Sequence, residues 1–223
     1  VLQNRINGSV DAYSRLTSDI IFFRPLATAS GFSGVFENVG QATNKGIEFI
    51  LNSANITGSN FRWSTSLNFA TNKNEVVKLY GDLDEIIFRN QGGRFVHKVG
   101  EPVGSIYAYE WIGIWQMDEL AEAQSYGQQP GQVKVKDQNR DGVIDPDNDR
   151  TPLGVNMPKW TGGLTNAFSY KNLELSVFIY TSQGAYSFSY FHRSHAWDQD
   201  NRPARFNGLQ TNYWTPDNPT NDW

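Results

Sequence analysis

The chain has 223 residues, a formal net charge of −4 and no cysteine. The acidic balance argues against nucleic acid as a partner, and the absence of thiols excludes disulfides and thiolate metal sites. No run of about 18 apolar residues exists, which excludes a transmembrane helix; at a mean hydropathy of −0.53 the chain still suits membrane-spanning strands, which meet lipid only at every second residue.

Residues 10–23 predict a first strand, with Val10, Leu16, Ile20 and Phe22 on one face and Asp11, Tyr13, Arg15, Thr17 and Asp19 on the other. Arg24-Pro25 ends it, because proline withholds a ladder donor. A small-residue loop over 27–34 leads into a second strand, 35–51, where Ile47, Phe49 and Leu51 alternate with Glu48 and Asn52. The turn-rich stretch 53–60 then predicts a hairpin connection to 61–72. There Phe61, Trp63, Thr65, Leu67, Phe69 and Thr71 lie opposite Arg62, Ser64, Ser66, Asn68, Ala70 and Asn72. Alternation of this kind serves a soluble sandwich and a membrane wall equally well.

From 74 to 158 charge, glycine and glutamine accumulate. Short elements are expected within this excursion: a strand over 85–88, a turn at Gly92-Gly93, and a strand over 105–115 with Tyr107, Tyr109, Trp111 and Trp115 on one face. A helix is expected over 118–125, capped by Asp118. Uninterrupted alternation returns at Trp160 to Tyr170; Lys171-Asn172 is a tight-turn signal, and Leu173, Leu175, Val177 and Ile179 alternate with Glu174 and Ser176 up to Gly184. Two short-turned hairpins therefore flank one long excursion, the asymmetry of an outer-membrane barrel with short periplasmic turns and long extracellular loops.

Several motifs occur in a fixed order: Asn38-Val39-Gly40, Asn44-Lys45-Gly46-Ile47-Glu48, Phe61-Arg62-Trp63, and Leu67-Asn68-Phe69-Ala70-Thr71-Asn72-Lys73-Asn74. Val99-Gly100-Glu101-Pro102-Val103-Gly104-Ser105 follows, then 137–145, 154–158, Thr161-Gly162-Gly163-Leu164, 168–173 and Trp214-Thr215-Pro216-Asp217-Asn218-Pro219. Each is weak alone, but the ordered set resembles the late barrel strands of the SusC/RagA family of TonB-linked outer-membrane proteins. The resemblance implies an all-β fold, an antiparallel transmembrane β-barrel segment with long extracellular loops spanning 1–223, and an outer-membrane location. It further implies import of oligosaccharides or peptides without catalysis. The implied partners are a SusD-like surface lipoprotein and TonB, the latter contacted through an N-terminal region that, like the plug, belongs to a longer parent chain. A soluble, calcium-stabilised carbohydrate-binding β-sandwich is the alternative reading, and a secreted glycosidase module a third.

Asp137, Asn139, Asp141, the Val143 carbonyl and Asp145 place oxygens at every second position, with Gly142 sixth for the sharp bend. That spacing suits a calcium loop. The twelfth position is Asn148, with Asp149 one residue further, and helix signals are absent on both sides. The stretch therefore reads either as a structural Ca²⁺ site through Asp137, Asn139, Asp141, Val143, Asp145 and Asp149, or as an Asp/Asn turn closed by its own hydrogen bonds. No cofactor is required on either reading. His192 and His195 have usable metal spacing but no supporting context. Tyr107, Tyr109, Trp111, Trp115 and Trp197 are candidate substrate or partner contacts, since π-faces suit both sugar rings and interface cores; packing of the loops on one another would use the same residues.

Overall fold

The computed structural model describes residues 5–81, 83–90, 93–189 and 212–221. Contacts divide the chain into two units, one within Val1–Ile86, Val96–Ser105 and Gly154–Ser187, the other within Ile87–Phe95, Ile106–Leu153 and Phe188–Trp223. In chain order the strands are β1 (Ile6–Pro25), β2 (Gly34–Thr57), β3 (Phe61–Lys78), β4 (Glu85–Asn90), β5 (Gly93–Lys98), β6 (Ser105–Tyr109), β7 (Trp111–Ile114), β8 (Val133–Val135), β9 (Arg150–Gly154), β10 (Trp160–Tyr170) and β11 (Leu173–Gln183). One short helix, α1 (Leu120–Ser125), stands between β7 and β8. The main sheet has five strands in the order β1-β2-β3-β10-β11; β4-β5-β6-β9 make a second sheet, and β7 with β8 a ribbon.

Every pairing in the main sheet is antiparallel. β2 continues through Ser53 to Thr57, which the turn-rich composition had assigned to the connection. Its polar residues are used laterally: Arg5 Nε donates to the Ala54 carbonyl at 3.0 Å, the Ala54 amide donates to the Arg5 carbonyl at 2.8 Å, and Asn55 Nδ2 donates to Thr65 Oγ1 at 2.7 Å. The β2–β3 turn is therefore only Gly58-Ser59-Asn60. Lys171-Asn172 closes β10–β11, with Lys171 in the left-handed region at φ 53°, as a two-residue hairpin turn matched to strand twist requires. The Lys171 amide donates to the Asn60 carbonyl at 3.0 Å. Both short turns thus lie at the same end of the sheet, and the 26–33 and 79–159 connections leave from the other.

At that other end the register changes. β1 carries an extra residue between Thr17 and Ile20, and β2 one between Gly40 and Asn38. Asp19 adopts φ 58° there, the positive-φ conformation a β-bulge stabilises. Because Thr17 pairs with Ala42 and Ile20 with Gly40, Ile20 sits on the face of Thr17, not that of Leu16. The face predicted to hold Val10, Leu16, Ile20 and Phe22 together is therefore split. Val10 and Leu16 are exposed, whereas Phe22 is 5% exposed and packs with Val76, Leu79 and Ile86, against which Ile20 and Val103 also lie. A Cβ on Gly40 would stand 2.2 Å from the Phe22 ring, so the ring occupies the space that glycine leaves.

The His97 imidazole stacks on Phe22, with ring centroids 4.2 Å apart, and its Nδ1 accepts the Gly104 amide at 3.1 Å. Burial pushes its pKa down to about 4 from an ordinary 6.5. The group is neutral at pH 7. As pH falls below 6.5 the unfolded chain takes up the proton and the folded one does not, so its stabilising contribution is complete above 6.5 and is lost progressively toward 4. The thermal midpoint of the full-length protein is expected to fall over that window. His97→Phe, which keeps the ring stack but cannot titrate, should flatten this part of the profile; an unchanged slope would show that other groups set it.

Three of the ordered motifs meet in the same unit. Val76 forms a parallel bridge to Val99, the Val76 amide donates to the Glu101 carbonyl at 2.8 Å, and the Gly100 amide donates to the Val76 carbonyl at 2.9 Å. Asn74 Oδ1 accepts the Val103 amide at 2.8 Å while its Nδ2 donates to Asn44 Oδ1 at 3.0 Å. Asn44, Asn74 and Val103 come from three motifs far apart in sequence, and one chain of amide hydrogen bonds joins them.

Candidate functional site

The register places side chains of the five strands on two chemically distinct faces. Directly paired residues of an antiparallel sheet share a face. Leu67 pairs with Leu51 on one side and Leu164 on the other; Leu51 continues to Gly8, and Leu164 to Ile179. The same rule gathers Val10, Phe49, Phe69, Phe168, Leu173, Leu175 and Val177 onto this face. The opposite face carries Asn7, Asn52, Arg62, Ser64, Ser66, Asn68, Thr165 and Ser169, joined in part by Asn52 Nδ2 donating to Asn7 Oδ1 at 3.2 Å and Ser66 Oγ donating to Asn52 Oδ1 at 2.7 Å. Phe178 and Tyr180 are exceptions on this polar face, their rings 6.4 Å apart.

The apolar face is bounded by aromatic pairs at both ends. Trp63 stacks with Phe168 at 5.8 Å near the short turns, and Phe69 tilts against Trp160 at 5.8 Å toward the other end. From Trp160 to Phe168 the strand advances eight steps, about 26 Å along its axis and ~20 Å once tilted near 40°, most of the ~25 Å apolar band of an outer-membrane barrel. Leu173, Leu175 and Ile179 are 73%, 59% and 58% exposed.

The acidic loop between β8 and β9 closes on itself. Asp137 accepts the Arg140 amide at 2.6 Å and the Gly142 amide at 2.8 Å through its two oxygens, and Tyr126 Oη donates to it at 3.3 Å. Asn139 Oδ1 accepts the Asp141 amide at 3.2 Å, Asp141 accepts the Val143 amide at 2.9 Å, and Asp145 accepts the Asp147 and Asn148 amides at 2.8 and 2.9 Å. Asp149 is fully buried and accepts the Gln138 amide at 2.9 Å and the Asp145 amide at 2.7 Å. Partial burial raises the Asp137 pKa, but the Gly142 and Arg140 amides outweigh it and leave the carboxyl below its usual range. Asp145 is lowered by the Asn148 side chain and then by the Asn148 and Asp147 amides.

Among the described residues no three acidic or histidine side chains are grouped to hold a metal ion. The side-chain oxygens of Asp137, Asn139, Asp141, Asp145 and Asp149 accept backbone amides of the loop itself, in a series of Asx turns. Asp149→Ala would leave two half-buried amides without their acceptors, at a cost of about 1 kcal/mol or more. Hydrogen exchange at the Gln138 and Asp145 amides is expected to accelerate by about tenfold or more, with distant strands unaffected.

The aromatic residues expected to line one face of a single strand are separated. Glu110 interrupts that strand, and β6 and β7 join different sheets, with a further register shift between Trp111 and Gly113. Tyr107 is 6% and Trp115 3% exposed, whereas Trp111 is 44% exposed. Tyr109 lies under the Arg150 guanidinium at 5.1 Å, and Trp115 under Lys134 Nζ at 4.1 Å. Trp111 is the member of the set available for contact; Tyr107 and Trp115 are core. Trp197, His192 and His195 lie outside the described residues. The helix is also capped differently from expectation: the Glu119 carboxylate accepts the Gln116 amide at 3.0 Å, so Gln116 rather than Asp118 begins the turn. Sequence reasoning missed the part played by the segment around Trp214. Its Nε1 donates to Gln116 Oε1 at 2.8 Å, and its ring lies where a Cβ on Gly131 would stand, 2.6 Å away; the Asn221 side chain accepts the Ile114 amide at 3.0 Å.

No model of a known protein family matches the chain. Comparison with curated proteins finds TonB-dependent receptor P3 of Formosa agariphila, 34% identical over 231 residues that cover 100% of this chain and 22% of that protein. TonB-dependent receptor SusC of Bacteroides thetaiotaomicron is 28% identical over 198 residues, 83% of this chain and 18% of SusC. Among solved structures, the RagAB peptide transporter matches 80% of this chain and 19% of its own, at TM-score 0.60 and 26% identity. The chain belongs to the SusC/RagA family of TonB-dependent receptors. It spans about a fifth of the length of these relatives, and its five-stranded sheet is a segment of an outer-membrane β-barrel wall. In SusC/RagA terms the apolar face with its two aromatic borders is the surface suited to lipid, and the amide-linked motifs at the bulged end tie the barrel strands to the first part of the excursion. These relatives give no support to the alternative of a soluble β-sandwich.

Proposed function

We propose that the parent protein imports, by TonB-dependent opening, a nutrient too large for simple porins: an oligosaccharide or, as in the relative whose structure is that of a peptide transporter, a peptide. The observation that carries this reading is the largely apolar face across five strands, interrupted by the hydrogen-bonded Thr65 and Asn166 and aromatic at both borders, in a chain of this family. A wide barrel occluded by a plug passes substrate only when energy reaches the plug, which is the part assigned to TonB. The Gly58–Asn60 and Lys171-Asn172 turns face the periplasm and the 79–159 excursion faces outward, where a SusD-like lipoprotein docks, with exposed Trp111 as an aromatic anchor.

Deleting the parent gene is expected to abolish growth on at least one glycan or peptide, and loss of TonB to do the same with the gene intact. Unchanged uptake across a broad panel of both, or a protein that purifies alone and opens without TonB, would defeat the proposal. Orientation is read separately: on whole cells an impermeant thiol reagent should label Gln128→Cys and spare Ser59→Cys.

A further inference from the structure

One row of the apolar face is polar. Ser53, Thr65 and Asn166 stand side by side on β2, β3 and β10, and a chain of hydrogen bonds runs through them. Ser53 Oγ donates to Asn55 Oδ1 at 2.8 Å, Asn55 Nδ2 to Thr65 Oγ1 at 2.7 Å, Thr65 Oγ1 to Asn166 Oδ1 at 2.7 Å, and Trp63 Nε1 to the same oxygen at 3.0 Å. Because an indole N–H only donates, the atom it meets is the Asn166 oxygen, and the amide nitrogen Nδ2 is left outside the network. Among the described residues no acceptor meets Nδ2, and the next residue along the row, Val177, has none in its side chain. Unengaged polar side chains of the opposite face, such as Asn68 and Arg62, are solvated by a wet lumen. Asn166 is half-buried on the face suited to lipid, where no water is available and an amide without an acceptor is costly.

Its depth points to the missing acceptor. Along β10 Asn166 is two residues from Leu164 and two from Phe168, so it lies about 5 Å inside the aromatic border once the strand is tilted near 40°. Aromatic girdles sit at headgroup level, and just beneath them phospholipid ester carbonyls meet the acyl chains. An ester carbonyl accepts and never donates, the complement of a group that only donates. Beyond the border, Lys171 Nζ lies over the exposed Tyr170 ring at 5.4 Å, a cation at the level of lipid phosphate. From Leu164 to Lys171 the strand thus presents an aliphatic side chain, an amide donor, an aromatic ring and a cation. That is the order of acyl chain, ester, glycerol and phosphate in a phospholipid.

We infer that this row is a phospholipid subsite in the leaflet at the short-turn end, in which Asn166 Nδ2 donates to an ester carbonyl and Lys171 holds the phosphate. A second copy of the chain would have to bring a neutral acceptor and an anion at the same spacing, which every diester phospholipid already carries. The inference rests on the assignment of the apolar face to lipid and not on the import of any substrate.

The full-length protein, purified in detergent, is titrated with phosphatidylethanolamine and followed by native mass spectrometry. Two forms of the lipid with matched chains are compared, a diester and a diether that keeps the phosphate but lacks the carbonyls. The first diester molecule is expected to bind about tenfold or more tighter than the diether, the worth of one hydrogen bond shielded from water. Asn166→Leu should bring the diester down to the level of the diether. Lys171→Asn, chosen because asparagine tolerates the φ of 53° at that turn, should weaken both forms alike by about fivefold. Heat-modifiable gel mobility shows that each variant is folded, and the two lipids on the unaltered protein decide the matter if one is not. Equal binding of the two forms, or a diester preference that survives Asn166→Leu, would overturn the subsite. So would a dimer of the protein that Asn166→Leu abolishes, since a second copy would then supply the acceptor. A spin label at position 67 separates this failure from that of the underlying assignment: lipid contact there without an ester preference defeats the subsite alone, and water contact defeats both.

Discussion

Replacing Leu67 with arginine should destabilise the full-length protein in lipid vesicles by about 2–4 kcal/mol, the cost of a cation near the bilayer midplane on the outside of a barrel. Leu67 pairs with Leu164, which lies four residues from Trp160 and four from Phe168 in the two aromatic borders, and its partner on the other side, Leu51, is aliphatic too. In lipid no water is available to the guanidinium, which must snorkel toward an interface. Ser64→Arg, on the polar face of the same strand, should cost under about 1 kcal/mol, since a wet lumen solvates the charge. Reversible denaturant unfolding of both variants reads the difference. Equal costs, or a spin label at position 67 that reports water, would place the apolar face elsewhere than in lipid.

Phe22→Ala is expected to cost more, about 3–5 kcal/mol, through the transfer of a ring and the cavity it leaves. The site cannot collapse easily. Val76 and Leu79 around it are already fully packed at 0% and 1% exposure, the His97 ring loses its stacking partner, and the space above Gly40 empties. The same change should loosen the joint between β3 and the Val99–Val103 motif, because Val103 packs on this cluster. A melting curve followed by heat-modifiable gel mobility measures the global effect, and hydrogen exchange at Val76 and Gly100 the local one. A loss below about 1 kcal/mol would mean that the cluster is not the core of this unit. The opposite change, Gly40→Val, tests the same contact by overpacking, at about 1–3 kcal/mol.

Much of the architecture was legible from residue order alone. Strict alternation marks β3, β10 and β11, and Lys171-Asn172 marks their tight turn, because side-chain direction along a strand has a period of two and a two-residue hairpin turn demands positive φ. The two chemical faces of the barrel segment follow directly from that period. What the chain could not disclose locally is where the period breaks. The bulges at Asp19 and Gly40 exist because β1 and β2 must pair in one register near the short turns and in another at the opposite end. Only that pairing decides that Phe22 joins a core while Leu16 remains on the exposed face. Tyr107, Tyr109, Trp111 and Trp115 likewise look like one aromatic stripe until Glu110 divides their strand between two sheets. Asp137 to Asp149 show oxygen spacing in the sequence, but whether those oxygens turn toward an ion or toward the loop's own amides depends on backbone geometry that spacing does not encode. Local periodicity thus determined the strands and their faces; tertiary pairing, acting between residues distant in the chain, decided the register and the core.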